Sequence, residues 1–442
     1  MLLYQQLKNI YHLFQSLLWK VMYGMPDKGM RIFGVTGTNG KTTTSFLLTG
    51  ILAQEYGAAQ VGMLTTVAFR VGEKQEINET KMTTLPSRMV WQYLARMKKA
   101  GVKAVVLEIT SHALDQNRLY GIKLDGGIIL NIEREHLDYH QTMEAYAAAK
   151  SKIISYLRKD APLIGKGSDA RVEKILQGAE KAGYKVVRFT SDQARHTAVA
   201  LPGDVNRENA LAVSLLARSV AIAEEKIRSG VMSVTKVPGR MESITAPQGF
   251  TVIIDYAVTS DALEQLYAWV RAEFVGDNAE PLVASGLTHG TPQGSSDYAT
   301  PPGNTVRRLP GSNAGLSGNT IRRGKVYGVL GACGMRDRGK RPEMARVVKK
   351  HTDFLAITRE DPWTEPEEQI FGDLEKGLDT NDNSWKRIVD RKEALRHVLS
   401  LAKAGDVVVA TGKGAETGMA IGNTIVPWNE KAIVEELLGK LA

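Results

Sequence analysis

Residues 34–44 read G-V-T-G-T-N-G-K-T-T-T, a glycine-rich run that passes into a lysine and three threonines. Gly37, Thr38, Asn39 and Gly40 let backbone N–H groups turn toward phosphate oxygens. The Lys41 ammonium reaches the outer phosphates, and the Thr42 hydroxyl, followed by Thr43, can ligate Mg²⁺. The strict pattern places glycine six positions before the lysine, where this chain has Val35. Two further groups stand where chemistry needs them. Glu108 closes V-V-L-E-I-T-S-H, and His136 follows the strand ending at Asn131 in N-I-E-R-E-H-L-D. At successive strand ends, a carboxylate and an imidazole can converge on a second divalent ion beside the phosphates. His112 and His140 hold no such position and read as structural polar residues.

These groups need a frame. The apolar run 31–36 precedes the glycine loop and a helical pattern at 41–54 follows it. Runs 102–109 and 126–132 have strand length, with helical patterns at 86–100 and 142–158 around them. Strands alternating with helices imply parallel β-α-β units and a doubly wound α/β sheet, with its ligand site at the carboxyl ends of the strands. After Pro238-Gly239 a second alternating series begins, with strands at 250–255, 325–330, 353–358 and 406–411 and helices at 261–274, 342–350 and 391–404. The expected division is an amino-terminal helix over 1–30, an ATP-binding domain over 31–237 and a Rossmann-like α/β domain over 238–442. Residues 276–323 are rich in Gly, Pro, Ser, Thr and Asn and read as a disordered insertion.

Leu3, Leu7, Ile10, Phe14, Leu17 and Val21 recur at alternating spacings of four and three, which predicts a helix with one apolar face. Gln15, Ser16 and Lys20 make it too polar to span a bilayer, and there is no signal-peptide pattern. Such a helix either packs on the protein or lies on a membrane surface with Trp19, Tyr11 and Tyr23 near the headgroups.

The 442 residues carry 57 Lys and Arg against 48 Asp and Glu, a net charge of +9, with 43% hydrophobic residues and one cysteine. That composition excludes a wholly disordered or fibrous chain. Cys333 alone permits neither an internal disulfide nor a thiolate zinc cluster, in keeping with a reducing, cytoplasmic compartment. No basic stripe with interleaved aromatics points to nucleic acid.

The loop G-T-N-G-K-T-T-T, E-I-T-S-H-A-L, N-I-E-R-E-H-L-D-Y-H, M-E-A-Y-A-A-A-K, P-G-R-M-E, D-Y-A-x-T-x-D-A-L, R-D-R-G-K-R-P and G-K-G-A-E occur in that order. Together they resemble the Mur ligases of peptidoglycan synthesis, and within them the MurE branch, from about residue 31 to 420. The resemblance implies an ATP-driven ligase that adds the third amino acid to UDP-N-acetylmuramoyl-dipeptide. The substrate carboxylate takes the γ-phosphate to give an acyl phosphate, which the incoming amine displaces. It implies ATP and two Mg²⁺ ions, with Thr42, Glu108 and His136 serving the metals. Lys150 matches the lysine that the family carbamylates into an anionic ligand.

By the same resemblance Asn131, Asn206, Asn209 and Asp255 join the ATP site, Asp255 on the ribose hydroxyls, and Arg240 contacts the γ-phosphate on domain closure. Thr83, Thr84, Ser111 and Arg118 match the muramoyl-peptide site. Arg336 matches the clamp on the amino acid's α-carboxylate, and Gly412 and Glu416 those engaging the far amino group of a diamino acid. The implied partners are the muramoyl-dipeptide nucleotide and a free amino acid, with a monomeric enzyme that touches a membrane, if at all, through residues 1–25.

Three departures stand out. The family's D-N-P-R motif, whose arginine reads the distal carboxylate of diaminopimelate, is here Glu360-Asp361-Pro362-Trp363. Trp363 offers one N–H and no charge, so lysine, ornithine or another amino acid is expected in place of meso-diaminopimelate. Val258 stands where the family has histidine in D-Y-A-H-T, and G-K-G-A-E replaces G-K-G-H-E. The phosphate loop also starts near residue 36, which leads to the expectation of a chain truncated at its amino terminus, without the family's UDP-binding domain. Rival readings are a ligase for a lipid-linked muropeptide, a folylpolyglutamate-synthetase-like ligase, and a nucleotide-binding scaffold without catalysis.

Overall fold

A computed structural model describes residues 2–276 and 324–441, with side chains from residue 9 onward. The expected insertion at 276–323 lies outside the described residues except at Gly276.

The first sheet contains β1 (Arg31–Thr36), β2 (Val61–Leu64), β3 (Ala68–Val71), β4 (Lys74–Ile77), β5 (Ala104–Glu108), β6 (Gly126–Ile129), β7 (Pro162–Lys166) and β8 (Lys185–Phe189). Its order is β4-β3-β2-β5-β1-β6-β7-β8. β2, β5, β1, β6, β7 and β8 run parallel, and β3 and β4 close one edge antiparallel. Every residue of β5 and β6 is buried, as strands covered on both faces require. The packing leaves no room at Gly34 in β1, where a Cβ would stand 2.8 Å from Ile109 and Leu124 side-chain carbons.

β1 lies between β5 and β6, and the sheet grows away from it in both directions. The carboxyl ends of these three strands therefore open onto one crevice, the switch point where doubly wound sheets bind ligands. After β1 the chain enters α2 (Lys41–Tyr56). Its early turns bury Thr42, Thr43, Thr44 and Ser45.

The second sheet contains β9 (Glu242–Thr245), β10 (Thr251–Asp255), β11 (Val326–Leu330), β12 (Phe354–Ile357), β13 (Trp385–Arg387) and β14 (Val407–Thr411), in the order β13-β12-β11-β14-β10-β9. All are parallel except β9. A hairpin of β15 (Gly418–Ile421) and β16 (Thr424–Pro427) follows. Each sheet has a separate apolar core on either face. The mixed α/β architecture is the one the alternating pattern predicts; the antiparallel edges were not visible in it.

The amino-terminal helix α1 (Leu2–Met22) packs against α3 (Ser87–Lys99), but by its polar side. Ser16 is fully buried, accepts from the Trp91 indole at 2.9 Å and donates to the Tyr120 carbonyl at 2.8 Å. Ile10, Phe14 and Val21, on the apolar face expected to pack inward, are more than half exposed. Hydrogen-bonding partners on the body select the side that docks.

Candidate active site

The loop between β1 and α2 is held from several sides. The Asn131 side-chain carbonyl, beyond β6, accepts from the backbone N–H groups of Thr38 at 3.0 Å and Asn39 at 2.8 Å. The Thr38 hydroxyl lies 3.1 Å from the Tyr146 hydroxyl. Gly40 takes a left-handed φ of 81°, and a Cβ there would come within 2.6 Å of Asn209 Oδ1. Glycine is needed for both conformation and space.

Two lysines converge on this loop. Lys41 Nζ donates to the carbonyls of Gly37 at 3.2 Å and Thr38 at 2.8 Å, and Lys150 Nζ to the same Gly37 carbonyl at 2.6 Å. Among the described residues neither ammonium is hydrogen-bonded to a carboxylate. Burial lowers both pKa values; Glu108 partly opposes it at Lys41, and the Lys41 charge pushes Lys150 further down. A buried ammonium without a counter-anion favours its neutral form.

Glu108, at the end of β5, faces α2. Both its oxygens lie 3.1 Å from the Thr42 hydroxyl, and Thr66 donates to it from its N–H and its hydroxyl, each at 2.9 Å. Arg240, from the junction between the sheets, donates to the same Thr42 hydroxyl at 3.1 Å and lies over the Tyr256 ring. His136 adopts a left-handed φ of 57°, and its Nδ1 is buried without a hydrogen-bond partner. Burial, with His112 and Lys150 adding, drives its pKa well below the ordinary value, which leaves a neutral imidazole.

His112 and His140, read as structural from sequence, belong to this same cluster. The His112 ring lies 4.7 Å from that of His136 and 5.4 Å from that of His140, whose Nε2 is 3.0 Å from Ser111 Oγ. Burial pushes His112 down to about 3 and His140 to about 4. The spacing of His136 and His140, four residues apart across the short helix Leu137–His140, was the signal available for the second.

The residues present fit divalent ions. Thr42 and Glu108 present a hydroxyl and a carboxylate to one point, and the His136 nitrogen without a hydrogen-bond partner lies in the same cluster as Lys150, whose pKa burial lowers. Among the described residues no three His, Cys, Asp or Glu side chains form a ready cage. Mg²⁺ rarely needs one, since it keeps waters and takes substrate phosphate oxygens as ligands.

The second lobe closes over the loop. Lys340 donates to both Glu135 oxygens at 3.0 and 2.9 Å, Arg134 pairs with Asp337 at 3.1 Å, and the Asn39 amide reaches Thr259 at 3.1 Å. The other expected nucleotide residues are inward-turned. Asn206 donates to the Pro202 carbonyl at 2.6 Å and accepts from Asn209 at 3.1 Å. Asp255 is buried, and its oxygens accept from the N–H groups of Met241 and Ala257, both at 2.7 Å. It thereby braces the turn that carries Arg240.

Thr83, Thr84 and Arg118 are linked beside Glu108, and Ser111, three residues further along the chain, bonds to His140. Thr83 and Thr66 hydroxyls are 2.9 Å apart, Thr84 donates to the Glu108 carbonyl at 3.0 Å, and Arg118 donates to the Thr84 carbonyl at 3.0 Å.

Across the cleft, Lys413 is fully buried and donates to Asp361 at 2.8 Å, Glu416 at 2.5 Å and the Gly418 carbonyl at 2.8 Å. Lys81, from the first lobe, reaches the same two carboxylates at 2.7 and 3.4 Å. The motifs assigned neither lysine a role, and their shared contact with Asp361 spans more than 50 residues of chain. Glu360 is pushed up to about 7 by burial and by neighbouring Asp361, and its Oε2 has no hydrogen-bond partner. A Cβ at Gly412 would stand 3.0 Å from that oxygen. Trp363 takes a left-handed φ of 51°, pinned by its N–H to the Ala420 carbonyl and by Gly422 to its own carbonyl. Arg336 is exposed, and its charge acts on Asp138 and His112 across the cleft.

A phosphate loop with uncompensated lysines, closed by a second α/β lobe rich in carboxylates, defines a two-lobed ATP-dependent ligase. Residues 35–199 match the Mur ligase middle domain and residues 312–414 the Mur ligase, glutamate ligase domain. A UDP-N-acetylmuramyl-tripeptide synthetase of a Roseiflexus species is 32% identical over 95% of this chain and 80% of its own. A UDP-N-acetylmuramoyl-L-alanyl-D-glutamate–2,6-diaminopimelate ligase of Geobacillus kaustophilus is 30% identical over 95% of this chain and 81% of its own. A solved structure of a ligase of the latter name covers 98% of this chain and 82% of its own, with TM-score 0.55 and 25% identity. A folylpolyglutamate synthase from Mycobacterium tuberculosis, complexed with ADP and AMPPCP, shares the fold at TM-score 0.62 and 15% identity, over 91% of this chain and 96% of its own. The chain belongs to the Mur ligase family, and it is an ATP-dependent amide-forming ligase.

Proposed function

We propose that this ligase adds the third amino acid to UDP-N-acetylmuramoyl-dipeptide, through an acyl phosphate, in peptidoglycan precursor synthesis. The observation that carries the reading is the convergence of Lys41 and Lys150 on one loop carbonyl, with Glu108 and Arg240 both on the Thr42 hydroxyl. Lys41 and the loop amides bind the triphosphate, and Arg240 meets the γ-phosphate from the second lobe. Transfer of that phosphoryl group rests on positioning and charge neutralisation. Thr42 and Glu108 would hold one Mg²⁺, and His136 with carbamylated Lys150 the other; bound there, the ions neutralise charge developing on the phosphoryl oxygens. The interlobe pairs keep water from the acyl phosphate until the amine attacks.

Thr83, Thr84, Ser111 and Arg118 form the muramoyl-peptide cradle, and Arg336 meets the incoming α-carboxylate. Asp361 and Glu416 are already paired with Lys413 and Lys81, and Trp363 stands where the family's arginine would read a distal carboxylate. Without that bidentate partner a distal carboxylate loses its recognition, which favours lysine or ornithine over meso-diaminopimelate. Phosphate release with UDP-muramoyl-dipeptide and a panel of amino acids, with product masses, tests both parts. Turnover is expected only with both acceptors present and highest with a basic amino acid. Turnover with diaminopimelate alone overturns the specificity, and turnover requiring neither acceptor overturns the ligase substrate.

A further inference from the structure

Seven large apolar side chains of α1, Ile10, Tyr11, Phe14, Leu17, Leu18, Val21 and Met22, are each more than one-third exposed. At 3.6 residues per turn they cover an arc of about 140°. The opposite side carries the attachments to the body. Besides Ser16, Lys20 donates to the Gly121 carbonyl at 2.6 Å and to Asp27 at 2.7 Å, and the Arg88 guanidinium lies over the Trp19 ring. This inverts the usual surface helix, whose apolar stripe faces the core. No helix of the described residues is long and apolar enough to cross a membrane.

We infer that the exposed face of α1 docks the protein on an anionic lipid bilayer, lying in the plane of the surface. Charge complementarity selects that occupant. The first 26 residues contain no Asp or Glu, Lys8 lies in the helix and an exposed Lys28 follows it, while Asp27 is neutralised by Lys20 on the body side. Such a segment gains from anionic headgroups as well as from burying its apolar face. Trp19 and Tyr23, expected near the headgroups from sequence, instead pack against the core of the first lobe, and Tyr11 is the ring of the three that lies in the exposed arc. A second copy of the helix is the weaker occupant. The arc is wider than a two-row helix–helix seam, and no carboxylate flanks it to pair with a lysine of a partner helix.

The docked face is tied to the proposed substrate cradle. Ser16, on the body side of the helix, contacts the carbonyl of Arg118 as well as that of Tyr120, so α1 is anchored next to a residue of the proposed cradle. Docking itself does not depend on the ligase reading, because vesicle binding can be measured without turnover.

The test is co-sedimentation of the full chain with vesicles of one part phosphatidylglycerol to two parts phosphatidylcholine, beside pure phosphatidylcholine. Phe14→Glu/Leu18→Glu changes only outward side chains, and matched melting curves and ATP turnover confirm that the fold survives. The expected result is binding to the anionic vesicles that falls at least about tenfold in the variant, in pure phosphatidylcholine and in high salt. Absence of binding, or equal binding by the variant, overturns the inference. So does a wild-type dimer by light scattering that the variant dissolves without any vesicle binding, which would assign the face to a second copy.

Discussion

Half-buried Lys41 and fully buried Lys413 both lie beside glycines at the carboxyl end of a parallel sheet, yet their environments shift them in opposite directions. Lys41 and its neighbour Lys150 donate to backbone carbonyls only, and both are lowered. Lys413 donates to two carboxylates and is raised, although burial opposes it. Positive charge is left uncompensated where a polyphosphate would arrive. It is neutralised where the protein needs a fixed wall. The same residue type thus supplies binding energy in one lobe and architecture in the other.

Exchanging these roles is the strongest way to break the comparison. Lys41→Ala is expected to reduce ATP-dependent phosphate release by ~10³-fold or more, since it removes charge stabilisation from the phosphoryl group. Its melting temperature should hold or rise, because an uncompensated buried charge is gone. Lys413→Ala should instead destabilise the fold, by up to about 3–5 kcal/mol, by leaving Asp361 and Glu416 with Lys81 as their remaining lysine. Denaturant titration of the two variants reads the difference, and equal stability losses would end the distinction.

Trp363→Arg sharpens the second region. An arginine there can meet a carboxylate in bidentate fashion, so the preference between diaminopimelate and lysine should move toward diaminopimelate by roughly tenfold in kcat/KM. An unchanged ratio would remove Trp363 from the specificity pocket.

A smaller signal comes from proton linkage. Lys41 is lowered in the empty site, and a bound triphosphate restores its affinity for a proton. Nucleotide binding should therefore take up protons at alkaline pH. Calorimetry in buffers of different ionisation enthalpy measures this, and the uptake should vanish in Lys41→Ala.

The histidine cluster gives the mildest effect. His112 and His140 have folded pKa values of about 3 and about 4, below the ordinary 6.5. Between these values the unfolded chain binds more protons, so stability is complete above about 6.5 and falls as pH drops through the window. His112→Asn should shallow that acid limb of the melting-temperature profile, and an unaltered limb would place His112 outside the buried cluster.

The sequence was most readable where chemistry is local. The G-T-N-G-K-T-T run, the strand before it and the helix after it are contiguous, and the backbone period of each announces itself. Glu108 and His136 could be placed at strand ends because parallel alternation puts all those ends on one edge. The edge strands β3 and β4 are short, four residues each, and β4 is wholly exposed, which is why alternation alone did not show them. Asp255 was legible as a strand-end aspartate, but its bonds to the Met241 and Ala257 N–H groups depend on how the strand and the Arg240 turn meet.

By itself the sequence determined the two alternating series, the phosphate loop and the replacement of an arginine by Trp363, because these depend on residue type and near-neighbour spacing. Tertiary structure alone decided which lysines are paired, that His112 and His140 join His136, and that α1 turns its apolar face outward. Each of those outcomes depends on partners far apart in the chain. Burial and counter-charge are properties of the assembled surroundings, so they come into being only when the distant segments meet.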